Sequence, residues 1–230
     1  MKKWVKNTLD ECKETFCEDD FCSSHFTSIY LGGGTAGRFP FGRYLRRSIW
    51  LEKEGKMYPF GIAGIRCKGL SHNKEYGEIR FQNKTIVLNR KGNDLLVLLE
   101  REEIGIIRYS KPLRIFYFGS AELVVNNERI ATLKLPFIGP SLYQRKDCFG
   151  KFLLKKNQKT VRFLLNPKDD PQPMKGSWEP IDRDFLAPPS LKQTPLFLPE
   201  EKEEFQSFNQ NELYLFLVAA TWAPMFFTYA

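Results

Sequence analysis

Short apolar runs recur from residue 26 to residue 165, roughly every 8–12 residues, and turn-forming residues separate them. Within the runs apolar and polar positions alternate: in residues 131–135, Thr132 and Lys134 separate three apolar side chains. A period of two is typical of a β-strand with one buried face. Because the connections are short, we expect the strands to pair antiparallel. The pattern predicts twelve strands, at residues 26–31, 44–51, 58–67, 77–81, 85–89, 95–100, 104–109, 113–118, 123–125, 130–135, 152–154 and 161–165.

Two of the predicted turns carry residues that tolerate a positive φ angle. Residues 91–94 read Lys-Gly-Asn-Asp and residues 126–127 read Asn-Asn, and each group lies between two predicted strands. Glycine and asparagine adopt left-handed conformations at low cost, so both groups are typical of tight hairpin turns. They favour a meander in which each strand pairs with the next.

The C-terminal segment has a different pattern, because residues 213–220 are apolar on every face of a helix. A helix without a polar face lies inside a protein or inside a membrane. Pro199 followed by acids, and Asn209 three residues before Glu212, predict helix starts just upstream. Residues 213–230 carry no charge, and at about 1.5 Å each they fall slightly short of a bilayer core.

Two ways of burying this segment follow. A barrel of eleven or twelve strands can enclose a helix, whereas eight strands leave room only for side chains. The alternative is a tail-anchored membrane protein with a cytoplasmic β domain, which Pro224 and the acidic flank disfavour. We therefore predict a mainly β fold, an antiparallel barrel of about twelve strands with a buried apolar C-terminal helix.

The domain organisation follows from the same pattern. Residues 1–25 form a polar N-terminal extension, and residues 26–230 form a single β-barrel domain. Within that domain, residues 166–198 are a proline-rich connector that we expect to run over the surface, since proline removes ladder donors. Residues 199–230 hold the C-terminal helix.

This arrangement resembles the tubby C-terminal-like barrel that tubby proteins and phospholipid scramblases share. The resemblance depends on residues 104–108, 121–131 and 211–220, and as a strand pattern it covers most of residues 26–230. It implies a twelve-stranded barrel closed around a C-terminal helix. It also implies phosphoinositide binding or a scramblase-type role. No lipid-contacting residue is carried over from the family, because none matches individually.

The charge of the chain is uneven, although its hydrophobic fraction of 42% is ordinary for a globular domain. The net charge is +8 and the pI about 9.2, yet residues 1–28 and 199–212 are both acidic. Residues 29–198 therefore hold the whole positive excess. A basic body favours anionic phospholipids at a membrane surface as partners, with a nucleic-acid-binding β domain as a weaker alternative. Charge that serves only solubility is the simpler interpretation.

The densest basic and aromatic stretch follows the glycine-rich residues 32–37. Guanidinium groups suit phosphate, and aromatic rings can enter a lipid interface. No Gly-Lys-Ser/Thr follows the glycines, so we expect a sharply bent loop rather than a phosphate loop. The predicted anion- and lipid-binding residues are Arg38, Arg43, Arg46 and Arg47.

A second basic run surrounds a predicted hairpin and consists of Lys151, Lys155, Lys156 and Lys159. We expect it to discourage edge-to-edge aggregation.

Catalysis has little support, since neither His25 nor His72 lies in a recognisable catalytic motif. The acidic pairs Asp169-Asp170 and Asp182/Asp184 are expected to be solvated.

The five cysteines do not form a recognisable disulfide framework. Cys12, Cys17, Cys22 and His25 have spacings longer than those of usual zinc sites, so we expect neither a metal nor a cofactor. The N-terminus is polar rather than apolar, which argues against a signal peptide. These features favour a cytoplasmic location, peripheral to a membrane if the lipid interpretation holds.

Overall fold

A computed structural model describes residues 23–39, 42–68, 77–81, 84–92, 94–109, 119–136, 148–166 and 188–227. Within these residues, eleven antiparallel strands form one sheet in which each strand pairs with its neighbours in sequence. The strands are β1 (Ile29–Phe39), β2 (Gly42–Lys53), β3 (Lys56–Lys68), β4 (Gly77–Phe81), β5 (Lys84–Lys91), β6 (Asp94–Leu99), β7 (Glu102–Tyr109), β8 (Gly119–Val125), β9 (Glu128–Leu135), β10 (Cys148–Leu154) and β11 (Thr160–Asn166).

The prediction of a mainly β, antiparallel fold is confirmed. Eleven of the twelve predicted strands overlap observed ones, and the twelfth, at residues 113–118, lies outside the described residues. The first predicted strand begins differently, because Ser23–Ser28 form a 3-10 helix before β1. Phe26 in that helix packs its ring 4.8 Å from Phe197 and 4.6 Å from Phe205, measured between centroids. Contacts with a distant part of the chain thus override the local strand pattern.

The predicted hairpin turns have the expected backbone conformation. Asn126 and Asn127, between β8 and β9, have φ angles of 50° and 62°. Gly92, between β5 and β6, has a φ angle of 63°. All three residues are of types that tolerate the left-handed region, so the turn chemistry and the backbone agree.

The glycine-rich stretch is part of β1 rather than the bent loop that the sequence suggested. A bulge between Leu31 and Gly34 inserts one extra residue opposite β2. A Cβ atom on Gly32 would lie 2.3 Å from Ser48 Oγ and 2.5 Å from Trp50 Nε1. Only glycine therefore fits beside the Trp50 indole, whose N–H donates to Ser48 Oγ at 3.0 Å.

The C-terminal helix α1 (Gln210–Phe227) begins with the predicted capping box. Every residue of Leu213–Ala220 is 3% exposed or less, so the prediction of a buried segment is confirmed for these residues. The helix contacts β3, the adjacent strands β7 and β8, and β11, which together extend over most of the strand order. The sheet therefore curves around α1, and this explains why α1 needs no polar face. Among the described residues, no helix combines the length and apolarity needed to cross a membrane.

The end of the proline-rich connector is buried, unlike the surface connector expected from its composition. Leu196 and Phe197, here called the strap, are both fully buried. The Leu196 N–H donates to Ile29 O of β1 at 2.6 Å, and the Leu164 N–H of β11 donates to Leu196 O at 2.7 Å. The strap thus hydrogen-bonds to the first and the last described strand. A 3-10 helix, Pro199–Phe205, separates it from α1.

Candidate anion-binding surface

The four predicted site arginines lie on one hairpin, formed by β1 and β2. Arg38 on β1 pairs with Arg43 on β2, while Arg46 and Arg47 pair with Thr35 and Gly34. The bulge after Leu31 separates this register from that of Ile29–Leu31. We call these four positions the arginine hairpin. The backbone register therefore gathers them at one end of two adjacent strands.

The acidic residues of this region lie at the opposite end of the same strands. Between Ile29 and Lys68 the chain contains only two acids, Glu52 and Glu54, and both lie at the β2–β3 turn. The third strand adds another base, because Arg66 pairs with Tyr44. Beyond it, β4 brings one acid to the arginine end, because Glu78 pairs with Gly64, the β3 partner of Arg46. Charge along β1–β3 is consequently segregated, with the arginines away from the two acids.

Several basic side chains elsewhere in the sheet have acidic partners. The Arg108 guanidinium donates to both Asp94 carboxylate oxygens, at 3.1 and 3.2 Å, and this hydrogen bonding raises the pKa of Arg108. Arg129 lies 3.2 Å from Glu122, measured between Nη1 and Oε1. These pairs are solvent-exposed, so each contributes little to stability. They do offset the charge of Arg108 and Arg129.

The acidic 3-10 helix Pro199–Phe205 supplies partners for β11. Arg162 donates from Nε to Glu201 Oε1 at 3.0 Å and from Nη2 to Glu200 Oε1 at 2.6 Å. Lys159 donates to Glu204 Oε1 at 2.5 Å. Hydrogen bonding to these carboxylates raises the pKa of both Arg162 and Lys159. The acids that sequence reasoning assigned to a helix start therefore also hold this helix against β11.

The second basic run does not protect a sheet edge in the way we expected. Lys151 lies on β10, which pairs with both β9 and β11 and is therefore an interior strand. Lys155 and Lys156 lie in the β10–β11 turn and are exposed. Lys155 approaches Glu128 at 4.0 Å, and Lys159 is paired with Glu204. Aggregation control at an edge does not explain Lys151.

Sequence reasoning missed Lys134, which pairs with Lys151 across β9 and β10. Lys151 in turn pairs with Arg162 on β11, so three basic residues stand side by side. The only sequence signal is the alternation that directs Lys134 away from the apolar face. Recognising these three residues as neighbours requires the register of two hairpins, and alternation along a single strand does not give that register.

The other candidates contribute no defined site. Cys12, Cys17, Cys22, His72 and the acids at 169, 170, 182 and 184 lie outside the described residues, and the backbone of His25 belongs to the first 3-10 helix. Cys148 on β10 is buried. In the part of the chain that the structure describes, no three His, Cys, Asp or Glu side chains are grouped so as to hold a metal ion.

The fold defines a class: an antiparallel sheet protein in which consecutive strands curve around a buried C-terminal helix. Comparison with known proteins gives no match to a family model, to a curated protein or to a solved structure. The candidate surface therefore has to be interpreted from the charge and register of this chain alone.

Proposed function

We propose that this protein is a non-catalytic, tubby-like module that binds anionic phospholipid headgroups at a membrane surface. The arginine hairpin, with Arg38, Arg43, Arg46 and Arg47, is the proposed contact. The observation that carries the proposal is the segregation of charge along β1–β3, where the arginines share one end and the only acids share the other. A localised basic surface attracts a layer of negatively charged lipid headgroups more strongly than the same number of basic residues interspersed with acids.

The chemistry of arginine supports a phosphate ligand. A guanidinium presents a planar fork of N–H donors that matches phosphate oxygens, and it stays charged at every physiological pH. Arg38 and Arg43 occupy directly paired positions of β1 and β2, and we propose that one phosphate group binds both.

The proposal includes a closed barrel around α1. Its support is the strap, whose backbone hydrogen-bonds to Ile29 on β1 and to Leu164 on β11. Phe163 and Phe197 also form an antiparallel bridge. Strap and strands together would make the twelve-stranded ring that the tubby-like resemblance implies. Hydrogen exchange tests this closure, since we expect the Leu164 and Leu196 amides to be as protected as those of α1.

Vesicle flotation tests the function. We expect the full chain to float with phosphatidylcholine vesicles that contain a phosphoinositide and to remain unbound with phosphatidylcholine alone. The variant Arg43→Gln/Arg46→Gln should lose most of this binding. Lys56→Gln/Lys91→Gln is the matched control, because it removes the same charge from two exposed turn-flanking positions.

Two results would contradict the proposal. Equal flotation with and without phosphoinositide would exclude headgroup recognition, and equal loss in both variants would exclude a role for the arginine hairpin. Duplex DNA gives the third arm. Tighter binding to DNA than to vesicles, with a steep dependence on salt, would indicate a nucleic-acid-binding domain instead.

A further inference from the structure

Three basic residues lie side by side on the outer face of β9, β10 and β11. Lys134 pairs with Lys151, and Lys151 pairs with Arg162. Lys134 and Lys151 are exposed, whereas the strand neighbours of Arg162, Val161 and Phe163, are buried. We call Lys134, Lys151 and Arg162 the cation row. Directly paired residues have Cα atoms about 4.5–5.5 Å apart, so the row is compact.

The cation row has an energetic cost without a matching structural benefit. Like charges directly opposite each other destabilise a sheet. Lysines are useful on edge strands, where they block pairing with another chain, but β9 and β10 each pair on both sides. Nor do the lysines follow from alternation, which requires only a polar residue at these positions. Their charge therefore calls for an anionic partner.

The chain supplies such a partner at one end of the row. Glu200 and Glu201 accept hydrogen bonds from Arg162, and the Glu201 side chain is only 10% exposed. Among the residues that the structure describes, no carboxylate lies within 4.0 Å of the Lys134 or Lys151 ammonium group. The row consequently has one end occupied by internal carboxylates and one end open to solvent.

We propose that the open end of the cation row, Lys134 and Lys151, binds a phosphate group that carries at least two negative charges. Lysine ammonium groups on flexible stems can converge on one phosphate, and phosphate is a common partner of lysine. The site is separate from the arginine hairpin and does not require it. Its phosphate can belong to a lipid headgroup or to a soluble polyphosphate, because both present the same chemistry.

Calorimetric titration of the full chain with inositol hexakisphosphate tests the site with a free polyphosphate. We expect Lys134→Gln/Lys151→Gln to weaken binding about tenfold, which corresponds to about 1.4 kcal/mol. The matched control, Lys56→Gln/Lys91→Gln, removes the same charge from residues that are not cross-strand partners, and we expect at most about a threefold loss. Exposed lysines tolerate glutamine, so these variants should remain folded.

A second experiment removes the carboxylates that pair with Arg162 and measures whether affinity for the polyphosphate rises. Glu200→Gln/Glu201→Gln weakens the internal ion pairs of Arg162 while keeping side-chain shape, and we expect it to bind the polyphosphate several-fold more tightly. Glu102→Gln/Glu103→Gln is its control, because it makes the same charge change at exposed positions on β7. A gain in the first variant that exceeds the control supports competition between the internal carboxylates and the ligand.

Vesicles that contain phosphatidic acid distinguish the two sources of phosphate. Row-dependent binding to vesicles indicates a headgroup, and row-dependent binding to inositol hexakisphosphate alone indicates a soluble ligand; either supports the site. The proposal is overturned if the wild-type chain binds neither probe. It is also overturned if the row variant and the control variant lose the same affinity. If the row variant keeps wild-type binding to both inositol hexakisphosphate and phosphatidic acid vesicles, while the arginine variant loses flotation with phosphoinositide vesicles, the cation row fails and the proposed function stands.

Discussion

The backbone N–H of Leu196 donates to the carbonyl oxygen of Ile29 at 2.6 Å, although 167 positions separate the two residues in the numbering. This bond connects the first described strand to a segment that follows the last described strand. Phe197, the next residue, packs its ring 4.8 Å from Phe26 and 5.0 Å from Phe205. The N-terminal 3-10 helix, the strap and the acidic 3-10 helix therefore share one aromatic cluster.

The first prediction concerns this cluster. Phe197 is fully buried, so Phe197→Ala should lower the free energy of unfolding by about 3–5 kcal/mol through lost burial and the cavity left behind. Phe197→Leu preserves most of the volume and should cost much less. Urea titration followed by circular dichroism measures both. A cost below about 1 kcal/mol for the alanine variant would mean that the strap is not part of the cooperative core.

The start of α1 gives a second prediction. Asn209 Oδ1 accepts from the Glu212 N–H at 3.0 Å, and Glu212 Oε2 accepts from the Asn209 N–H at 2.8 Å. Asn209→Ala removes one of these bonds and should lower the free energy of unfolding by about 1 kcal/mol. Gln210→Ala, one residue later on an exposed position, is the control and should change stability by less than about 0.5 kcal/mol. Equal effects in both variants would contradict a specific capping role.

The capping box was predictable because it is local, and the same is true of most strands. The Asn-Asn turn before β9 is encoded within a few residues, and the alternation around Leu133 needs no distant information. By contrast, Phe26 was predicted to begin a strand and lies in a 3-10 helix, because its partners Phe197 and Phe205 are remote in sequence. Proline-rich sequence likewise concealed the buried Leu196.

The candidate surface also has features that the sequence predicts and features that it does not. Sequence composition identified Arg38 and Arg43 as a basic stretch, but their direct pairing depends on the register of β1 with β2. A register shift of one residue would move every partner. The cation row depends on two registers at once, since Lys151 connects Lys134 to Arg162. Pairing between strands is non-local, and alternation along one strand contains no information about it.

The third prediction concerns Gly150 on β10, which lies directly against the Phe163 ring on β11. A Cβ atom at Gly150 would lie 2.2 Å from Phe163 Cζ, a distance that side chains do not tolerate. Gly150→Ala should therefore lower the free energy of unfolding by about 1–3 kcal/mol through overpacking. Thermodynamic double-mutant analysis with Phe163→Leu provides the check, because a smaller neighbour should recover part of the loss. If the two changes in the free energy of unfolding are simply additive, contact with the Phe163 ring is not the cause of the loss in Gly150→Ala.

The fourth prediction concerns the turn between β6 and β7, where two residues other than glycine have positive φ angles. Glu100 has a φ angle of 49° and Arg101 one of 78°. Arg101→Gly should raise the free energy of unfolding by about 0.5–1 kcal/mol, since relief of the left-handed backbone exceeds the added entropy of the unfolded chain. Arg101→Ala keeps a Cβ atom at the same φ angle and should give no such gain. Thermal unfolding of the two variants compares them directly.

The fifth prediction concerns stability at alkaline pH. Partial burial, reinforced by the negative charge of Glu52, raises the pKa of Tyr30 above its ordinary value of 10.0. The folded chain therefore holds the phenolic proton more tightly than the unfolded chain, so the stabilisation is complete below pH 10 and is lost as pH rises through the folded pKa. Hydrogen bonding to Glu204 raises the pKa of Lys159 and acts with the same sign.

Tyr30→Phe separates these two contributions, because it removes the titrating phenol and keeps the ring. We expect the variant to lose stability less steeply than the wild-type chain above pH 10, and to keep a residual slope that Lys159→Gln reduces further. Urea unfolding at a series of pH values measures both slopes, and absorbance near 295 nm follows phenolate formation in the native protein. An unchanged alkaline slope in Tyr30→Phe would mean that burial of Tyr30 does not couple its proton to folding.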